Sequence, residues 1–299
     1  MTDWDGRGLP PVAQRRIERA ASSKVRSSLL SVNGQAAMAH FGFVPVGEVM
    51  GCVVVQIGFQ GYGGCGWGYA NVGGYAGYGG PTTTSTRRSG GYFGLGPYLD
   101  AIDAAWSTAL GRMVTEAQGL AADGVVDVRI TESRLSQYAR EFVVLGTAVR
   151  TIGSTHVTRP FTTTLSGSDT AKLLSAGSTP IAVVIANAAG IRHDDWSTVQ
   201  SRSYWAGNVE VLGYSELVHA TRSECRDEFM ARSRAAGADG AIVSSPMSVE
   251  FHALEVGEGH TDHVGTARLV GTAIGAFGRE RILEPPIAVL SMKDREGRT

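Results

Sequence analysis

Side chains that could bind a metal are concentrated in one short stretch near the end of the chain: Glu255, Glu258, His260, Asp262 and His263. Imidazole nitrogens and carboxylate oxygens are common metal ligands, and a His-x-x-His spacing can bring two rings together in a turn. The stretch is therefore a candidate metal site. The alternative is a solvated hairpin tip whose charges keep it in water, and the residue pattern alone favours that alternative.

The cysteines offer a second set of metal ligands. Cys52 and Cys65 both lie in the first half of the chain, and two thiolates would suit a soft heavy metal. Twelve residues separate them, which is not the spacing of a zinc-type pair, so two unrelated thiols are the simpler interpretation. Cys225 lies on the predicted inner face of a helix and is predicted to be a small core residue. Three cysteines do not predict a disulfide framework, and we expect reduced thiols in a cytoplasmic protein.

No motif with catalytic spacing accompanies these residues. The sequence contains neither a Gly-x-Ser-x-Gly elbow nor a His-Glu-x-x-His motif. Glu116 and Arg112 are one helical turn apart and are predicted to form an exposed pair, while Glu224 is predicted to lie on a solvated helix face. The sequence therefore predicts a protein that is not an enzyme.

Composition and charge exclude two classes of partner. The formal net charge is −1, which provides no basic field to attract nucleic acid or an anionic membrane. The most apolar stretches, residues 52–57 and 181–185, are too short to span a bilayer. Residues 10–26 are predicted to form a basic leader helix that lies in water, because they begin with proline and carry several arginines.

The two halves of the chain repeat a set of short matches in the same order. They are Leu30-Ser31 with Leu165-Ser166, Gly42 with Gly177 and Pro45 with Pro180 at an offset of 135, Ala122-Asp123-Gly124 with Ala238-Asp239-Gly240 at 116, and Gly146-Thr147-Ala148-Val149 with Gly271-Thr272-Ala273-Ile274 at 125. The changes in offset place 19 extra residues in the middle of the first copy and nine between the last two strands of the second. The predicted metal ligands near His260 fall in the second insertion.

Each copy has the pattern of a strand, a long amphipathic helix and two further strands. In the first copy these are predicted at 44–57, 99–120, 125–130 and 142–152, and in the second at 181–188, 218–236, 241–251 and 267–276. A polar turn is predicted before each first strand. The pattern predicts an α+β fold of two tandem β-α-β-β repeats, each a small sheet covered by one long amphipathic helix. Because one helix covers only one face, a tandem partner or an oligomer must cover the rest.

This division assigns residues 1–29 to a leader helix, 30–153 and 154–279 to the two repeats, and 280–299 to a tail. Residues 58–96 form a Gly/Tyr-rich insertion in the first repeat, with 15 glycines among aromatic residues. Such a density of glycine is incompatible with a regular helix or a packed strand. The insertion is predicted to be a flexible loop or, alternatively, an adhesive segment that binds a protein partner through its aromatic side chains.

Three features of the chain resemble the YbjQ-like family of heavy-metal-binding domains. They are the glycine-containing first strand Val46-Gly47-Glu48-Val49-Met50-Gly51, the Asp-Gly segment after each helix (residues 120–126 and 235–242), and the final Gly-Thr-Ala-Val or Gly-Thr-Ala-Ile. The resemblance covers about 30–153 and 160–278. The chain departs from the family pattern in its two copies, in its glycine-rich insertion and in Asn187-Ala188-Ala189, which replace glycines.

The resemblance implies an α+β fold and ring-shaped, pentameric homo-oligomers. It also implies a divalent or soft heavy metal as a cofactor, without an established activity. Together with the residues, it predicts a non-catalytic binding or scaffold protein that assembles with itself. The alternatives are a metal-binding protein that uses Cys52, Cys65, His260, Asp262 and His263, and an enzyme with a site between the two copies.

Overall fold

A computed structural model describes residues 4–6, 8–23, 26–57, 84–86, 95–153, 157, 159–255 and 261–277. Cys65, His260, most of the Gly/Tyr-rich insertion and the tail from 280 lie outside these residues. Within them the fold is α+β, with two sheets and six α-helices. The helices are α1 Pro11–Ser22, α2 Val32–His40, α3 Gly96–Gly119, α4 Gly167–Ser175, α5 Trp196–Ser201 and α6 Leu212–Ala235.

Nine strands form the two sheets of the described chain. They are β1 Phe43–Gln56, β2 Ser85–Thr86, β3 Gly124–Arg134, β4 Ala139–Thr151, β5 Phe161–Thr162, β6 Ser178–His193, β7 Gly240–Val243, β8 Ser248–Glu255 and β9 Thr261–Ala276. Sheet 1 has the order β1-β4-β3-β5, and sheet 2 has the order β2-β6-β9-β7, with β8 also paired to β9. All neighbours are antiparallel except β3 and β5.

Helix α3 packs one apolar face on sheet 1, as its three- and four-residue spacing predicts. Ala109 and Met113 are fully buried on this face. At Gly51 of β1 the helix backbone comes so close that a Cβ atom would overlap the Ala109 carbonyl oxygen. Trp106 packs edge-on against Phe142 of β4, with ring centroids 4.8 Å apart. These contacts confirm the predicted helix and its inner face.

The opposite side of α3 packs on sheet 2, so that one helix lies between both sheets. Val183 and Ile185 of β6 belong to the same buried apolar cluster as the α3 side chains. Helix α6 covers the other face of sheet 2, where Cys225 and Phe229 pack against Ala186. The layers are therefore sheet 1, α3, sheet 2 and α6, and the two halves share one large core.

Strand β1 is an edge strand whose free backbone groups are bound by helix side chains. Arg16 of α1 donates to the Met50 carbonyl at 3.3 Å, and Glu116 of α3 accepts from the Met50 amide at 2.7 Å. Arg112 donates to the Cys52 carbonyl at 2.6 Å. The prediction of an Arg112–Glu116 pair is therefore wrong, because both side chains instead bind unpaired backbone groups of the edge strand β1. Glu116 is 1% exposed and forms an ion pair with Arg16, so the leader helix is not simply solvated.

Several other local predictions are wrong. The polar turns expected before β1 and β6 are the short helices α2 and α4, whose first turns are capped by Ser31 and Ser166. The single strand expected at 241–251 is split into β7 and β8. Glu224 is buried rather than solvated, since it lies next to Cys225 on the side of α6 that faces the sheet. The short strand β2 lies within the segment that glycine density predicted to be irregular.

Matching features recur in the two halves at the offsets found in the sequence. The β1–β4 register shifts between Pro45 and Gly47, and the β6–β9 register shifts between Pro180 and Ala182. Gly42 and Gly177, which precede these strands, have φ angles of 76° and 80°. Asp123 accepts from the Thr151 amide, as Asp239 does from the Ala276 amide.

Candidate functional site

Asp262 and His263, two of the predicted metal ligands, are neighbours on β9 and therefore point to opposite faces of sheet 2. Asp262 is 0% exposed, and its Oδ1 lies 2.7 Å from Nδ1 of His193, its cross-strand partner on β6. The solvated hairpin tip that the charges favoured is therefore wrong at these two positions. Pairing with β6 over the full length of β9 buries them.

His263 lies in a polar cluster on the α6 side of sheet 2. Its Nε2 is 3.0 Å from the Tyr214 hydroxyl, and its Nδ1 is 3.0 Å from Asp194 Oδ1. Arg202 binds the second oxygen of Asp194 at 3.1 Å. Arg192, the cross-strand neighbour of His263, donates to Glu216 at 2.5 Å. Both ring nitrogens of His263 therefore face protein groups.

The described residues do not fit a metal site. Cys52 lies on sheet 1, whereas Asp262 and His263 lie on sheet 2 and are bound by other side chains. In the described ranges, no group of three or more His, Cys, Asp or Glu side chains is placed to hold a metal ion. Cys65 and His260 fall outside those ranges.

A cavity of about 440 Å³ lies between sheet 1 and sheet 2. Glu132 is its central acid and binds two arginines, one from each sheet: Arg140 at 2.9 Å and Arg268. Arg268 also donates to Asn187 Oδ1 at 3.1 Å, and its guanidinium lies 5.0 Å from the centroid of Trp106. The cavity is thus lined by an ion-pair network that joins the two halves.

Burial and neighbouring charges shift the pKa values of two ionisable groups near the cavity. Burial raises the pKa of Tyr98, although the adjacent Arg140 opposes that shift. Burial lowers the pKa of His252, Glu250 opposes that shift, and Arg140 and Arg134 add to it. The acids Asp127 and Glu132 are both ion-paired with arginine. This arrangement joins the two sheets through charged side chains that are bound to one another.

An exposed aromatic surface lies between β6 and α6, in a region that the sequence analysis did not single out. We refer to residues 196–212 as the aromatic segment. Tyr204 and Trp205 are each 90% exposed, and their rings contact each other edge-on at 5.5 Å. Trp196 and Leu212 are also largely exposed. The aromatic segment is mostly polar and has neither helical nor strand periodicity, so no sequence pattern indicated an exposed aromatic surface there. The adhesive role was predicted for the Gly/Tyr-rich insertion instead.

None of the described helices is both long enough and apolar enough to cross a membrane. Residues 89–152, which include α3, β3 and β4, match the YbjQ family model, whose description is "Putative heavy-metal-binding". A UPF0145 protein of Alkaliphilus metalliredigens is 41% identical over 56 residues, which is 19% of this chain and 54% of that protein. A UPF0145 protein of Halorubrum lacusprofundi is 42% identical over 53 residues, 18% of this chain and 51% of that protein.

A longer match extends beyond this segment. The encapsulin nanocompartment protein Rv1762c of Mycobacterium tuberculosis is 28% identical over 284 residues, which cover 93% of this chain and 95% of that protein. Residues 89–152 are therefore similar to the YbjQ family model, and nearly the whole chain is similar to a nanocompartment protein.

Proposed function

We propose that this protein is a non-catalytic scaffold subunit that assembles with copies of itself into a closed ring or shell. The observation that carries the proposal is the aromatic segment, where Tyr204 and Trp205 are almost fully exposed. Monomeric proteins rarely expose large contiguous apolar patches, and such patches mark protein interfaces. The similarity to a nanocompartment protein over 93% of the chain supports self-assembly rather than a foreign partner.

The aromatic segment has the properties of a preorganised interface. Asp195 caps the first turn of α5 by accepting from the Thr198 amide at 2.7 Å. Ser203 and the 3₁₀ turn Tyr204–Ala206 follow, so the two aromatic rings project from an ordered backbone. Tyrosine and tryptophan contribute large contact areas at low entropic cost and dominate many interfaces.

The proposal includes a duplicated chain, with one YbjQ-like copy at 30–153 and a second at 154–279. The ordered sequence matches, the two register shifts after Pro45 and Pro180 and the paired caps of Asp123 and Asp239 support it. The family resemblance suggests a ring of five chains. A cytoplasmic location and a partner-binding role for residues 58–96 stay predictions.

Heavy-metal binding is a second candidate, favoured by the description of the family that residues 89–152 match. It would have to use Cys65 or His260 with ligands from other chains or other segments, because Cys52, Asp262 and His263 do not converge. Elemental analysis of the purified protein tests it. A stoichiometric metal that is lost when Cys52, Cys65, His260, Asp262 and His263 are replaced would support this candidate, and a trace content that is unaffected would contradict it.

A variant with Tyr204→Ser and Trp205→Ser tests the assembly. We expect it to fold, because both side chains are exposed, and to elute as a smaller species than the wild type in size-exclusion chromatography with light scattering. Leu135→Ser is the matched control, since Leu135 is exposed in the turn between β3 and β4. An unchanged particle size in the aromatic double variant would contradict the proposal.

A further inference from the structure

We infer that the outer face of sheet 1 binds helix α6 of a second copy of this chain. Within one chain, α3 packs on sheet 2. The proposed contact is the equivalent one between two chains, in which α6 packs on sheet 1. The inference rests on the proposed self-assembly and duplication, and it adds the two surfaces that meet.

The internal contact shows how a helix of one half covers a sheet of the other. Asp103 of α3 accepts from the Asn187 amide of β6 at 2.8 Å, and Trp106 lies against the guanidinium of Arg268 of β9. Leu110, further along α3, packs into the same apolar cluster as Val183 of β6. Sheet 2 is therefore covered on both faces, by α3 and by α6.

In the described chain, the face of sheet 1 opposite α3 is covered by a helix only at one end, where Met38 of α2 packs with Val126 and Val149. Val49 and Gly51 of β1 face α3, so the alternate residues Met50, Cys52 and Val54 face outward. Outward-facing Leu145 and Val143 of β4 are directly opposite Met50 and Cys52. None of these five side chains belongs to an apolar cluster of the described residues, and Val54 is 55% exposed. This part of the outer face is thus apolar and partly exposed.

The sequence offsets between the two halves indicate which helix could pack on this outer face. Positions 183, 185 and 187 of β6, which face α3, correspond to 48, 50 and 52 of β1. On the helices, Asp103, Trp106 and Leu110 of α3 correspond to positions 219, 222 and 226 of α6. Those positions carry exposed residues: His219, Arg222 and Arg226. The face of α6 equivalent to the face of α3 that contacts sheet 2 is therefore exposed in the described part of the chain, and it is basic.

The charges of the two free surfaces are complementary. The outer face of sheet 1 carries the acids Glu48 and Glu141 on neighbouring strands, and its one described arginine on β3, Arg129, is already paired with Asp127. Neither Glu48 nor Glu141 has an ion-pair partner in the described part of the chain. In the repeated contact, Arg226 takes the place of Leu110 and Glu48 takes the place of Val183. An apolar pair inside the chain is replaced by opposite charges between chains, as expected for a contact that must form from two solvated surfaces.

The geometry of this contact is head-to-tail. Sheet 1 and α6 are the first and last layers of one subunit, so each chain offers both surfaces and can bind one neighbour at each end. Such heterologous contacts generate rings when the rotation closes. The aromatic segment runs directly into α6 through the exposed Leu212 and extends the α6 surface.

Charge reversal tests the pairing of Glu48 with Arg226. We expect Glu48→Arg and Arg226→Glu each to raise the protein concentration needed for half-assembly about tenfold or more, because like charges then meet at the interface. The double variant should restore assembly close to the wild-type concentration. Arg234→Glu is the control, since Arg234 is exposed on the same helix but corresponds to Gln118, which is exposed on α3. Native mass spectrometry across a dilution series provides the readout.

A crosslink provides a second measurement if a charge variant fails to fold. With Cys52, Cys65 and Cys225 replaced by serine, Glu48→Cys and Arg226→Cys should form disulfides between chains upon oxidation and not within a chain. A wild type that assembles but is insensitive to both reversals, or that forms no such crosslink, overturns this inference and leaves self-assembly intact. A wild type that stays monomeric overturns the proposed function itself.

Discussion

Asp103 of α3 is bound by Arg232 of α6, although the two helices lie on opposite faces of sheet 2. Arg232 Nη2 is 2.5 Å from Asp103 Oδ2, and Nη1 is 3.2 Å from Oδ1. The same Nη1 donates to the Ile185 carbonyl of β6 at 2.8 Å. Arg232 thus reaches past the edge of sheet 2 and connects both helices to β6.

Removing the carboxylate of Asp103 should weaken the packing of the two halves of the chain against each other. We expect Asp103→Ala to lower the free energy of unfolding by about 1–3 kcal/mol, because Arg232 and Asn187 both lose a charged acceptor in a partly buried site. Chemical denaturation followed by circular dichroism measures the loss. Lys172→Ala is the control, since it removes only an exposed pair with Asp169, and we expect about 0.5 kcal/mol or less. Equal effects for both variants would contradict the structural role of Asp103.

The ion pair between Glu116 and Arg16 should hold the leader helix on β1. Arg16→Gln leaves the buried carboxylate without its cation, and we expect a loss of about 2–3 kcal/mol, moderated because Arg16 is 35% exposed. The variant should also expose α1 to limited proteolysis.

The double variant Arg16→Gln/Glu116→Gln keeps an acceptor for the Met50 amide but removes the buried charge. It should therefore lose less stability than Arg16→Gln alone, which is the signature of coupled residues. Additive losses in the double variant would show that the pair is not coupled.

The sequence predicted the elements better than the contacts between them. Helix α3 and strand β1 were predicted within three residues because their apolar spacing is regular over a long stretch. Helices α2 and α4 were missed because nine residues carry too little periodicity, and only the capping serines Ser31 and Ser166 marked them. Arg232 and Asp103 are 129 positions apart, so local patterns could not indicate their contact.

The candidate site was predicted even less well, for the same reason. The residue types at Asp262 and His263 suggested a metal, but their roles depend on the cross-strand neighbours His193 and Arg192. That register becomes known only once β6 and β9 are aligned over their full length. The exposure of Trp205 likewise depends on how α5 and the following turn sit on the fold.

Gly51 should be intolerant of any side chain. A Cβ atom there would overlap the Ala109 carbonyl and lie 2.7 Å from the Met113 amide nitrogen, both of which belong to the helix backbone. We expect Gly51→Ala to destabilise the protein by about 3 kcal/mol or more, because α3 must move away from sheet 1. Thermal denaturation measures this effect.

Gly111 is the matched control for Gly51, because it lies on α3 with open space around its Cα. Gly111→Ala should stabilise the protein by up to about 1 kcal/mol, since alanine favours the helix. A Gly51→Ala variant as stable as the wild type would contradict the close packing of α3 on β1.

Cys225 should be chemically inert in the folded protein. Burial raises the pKa of its thiol from 9.0 to about 12, so at pH 8 its thiolate is roughly a thousandfold rarer than that of an ordinary cysteine. Alkylation by iodoacetamide followed by mass spectrometry should leave Cys225 unmodified until denaturant is added. The variant Cys52→Ser/Cys65→Ser isolates its signal. Rapid alkylation of Cys225 under native conditions would contradict its position between α6 and sheet 2.

The mass of the native particle tests self-assembly most directly. A single chain has a mass of 31.5 kDa. Native mass spectrometry of the purified wild type at micromolar concentration should show a single closed species whose mass is an integer multiple of that value, as a head-to-tail ring or shell requires. A homogeneous 31.5 kDa species that persists over the whole concentration range would contradict the account.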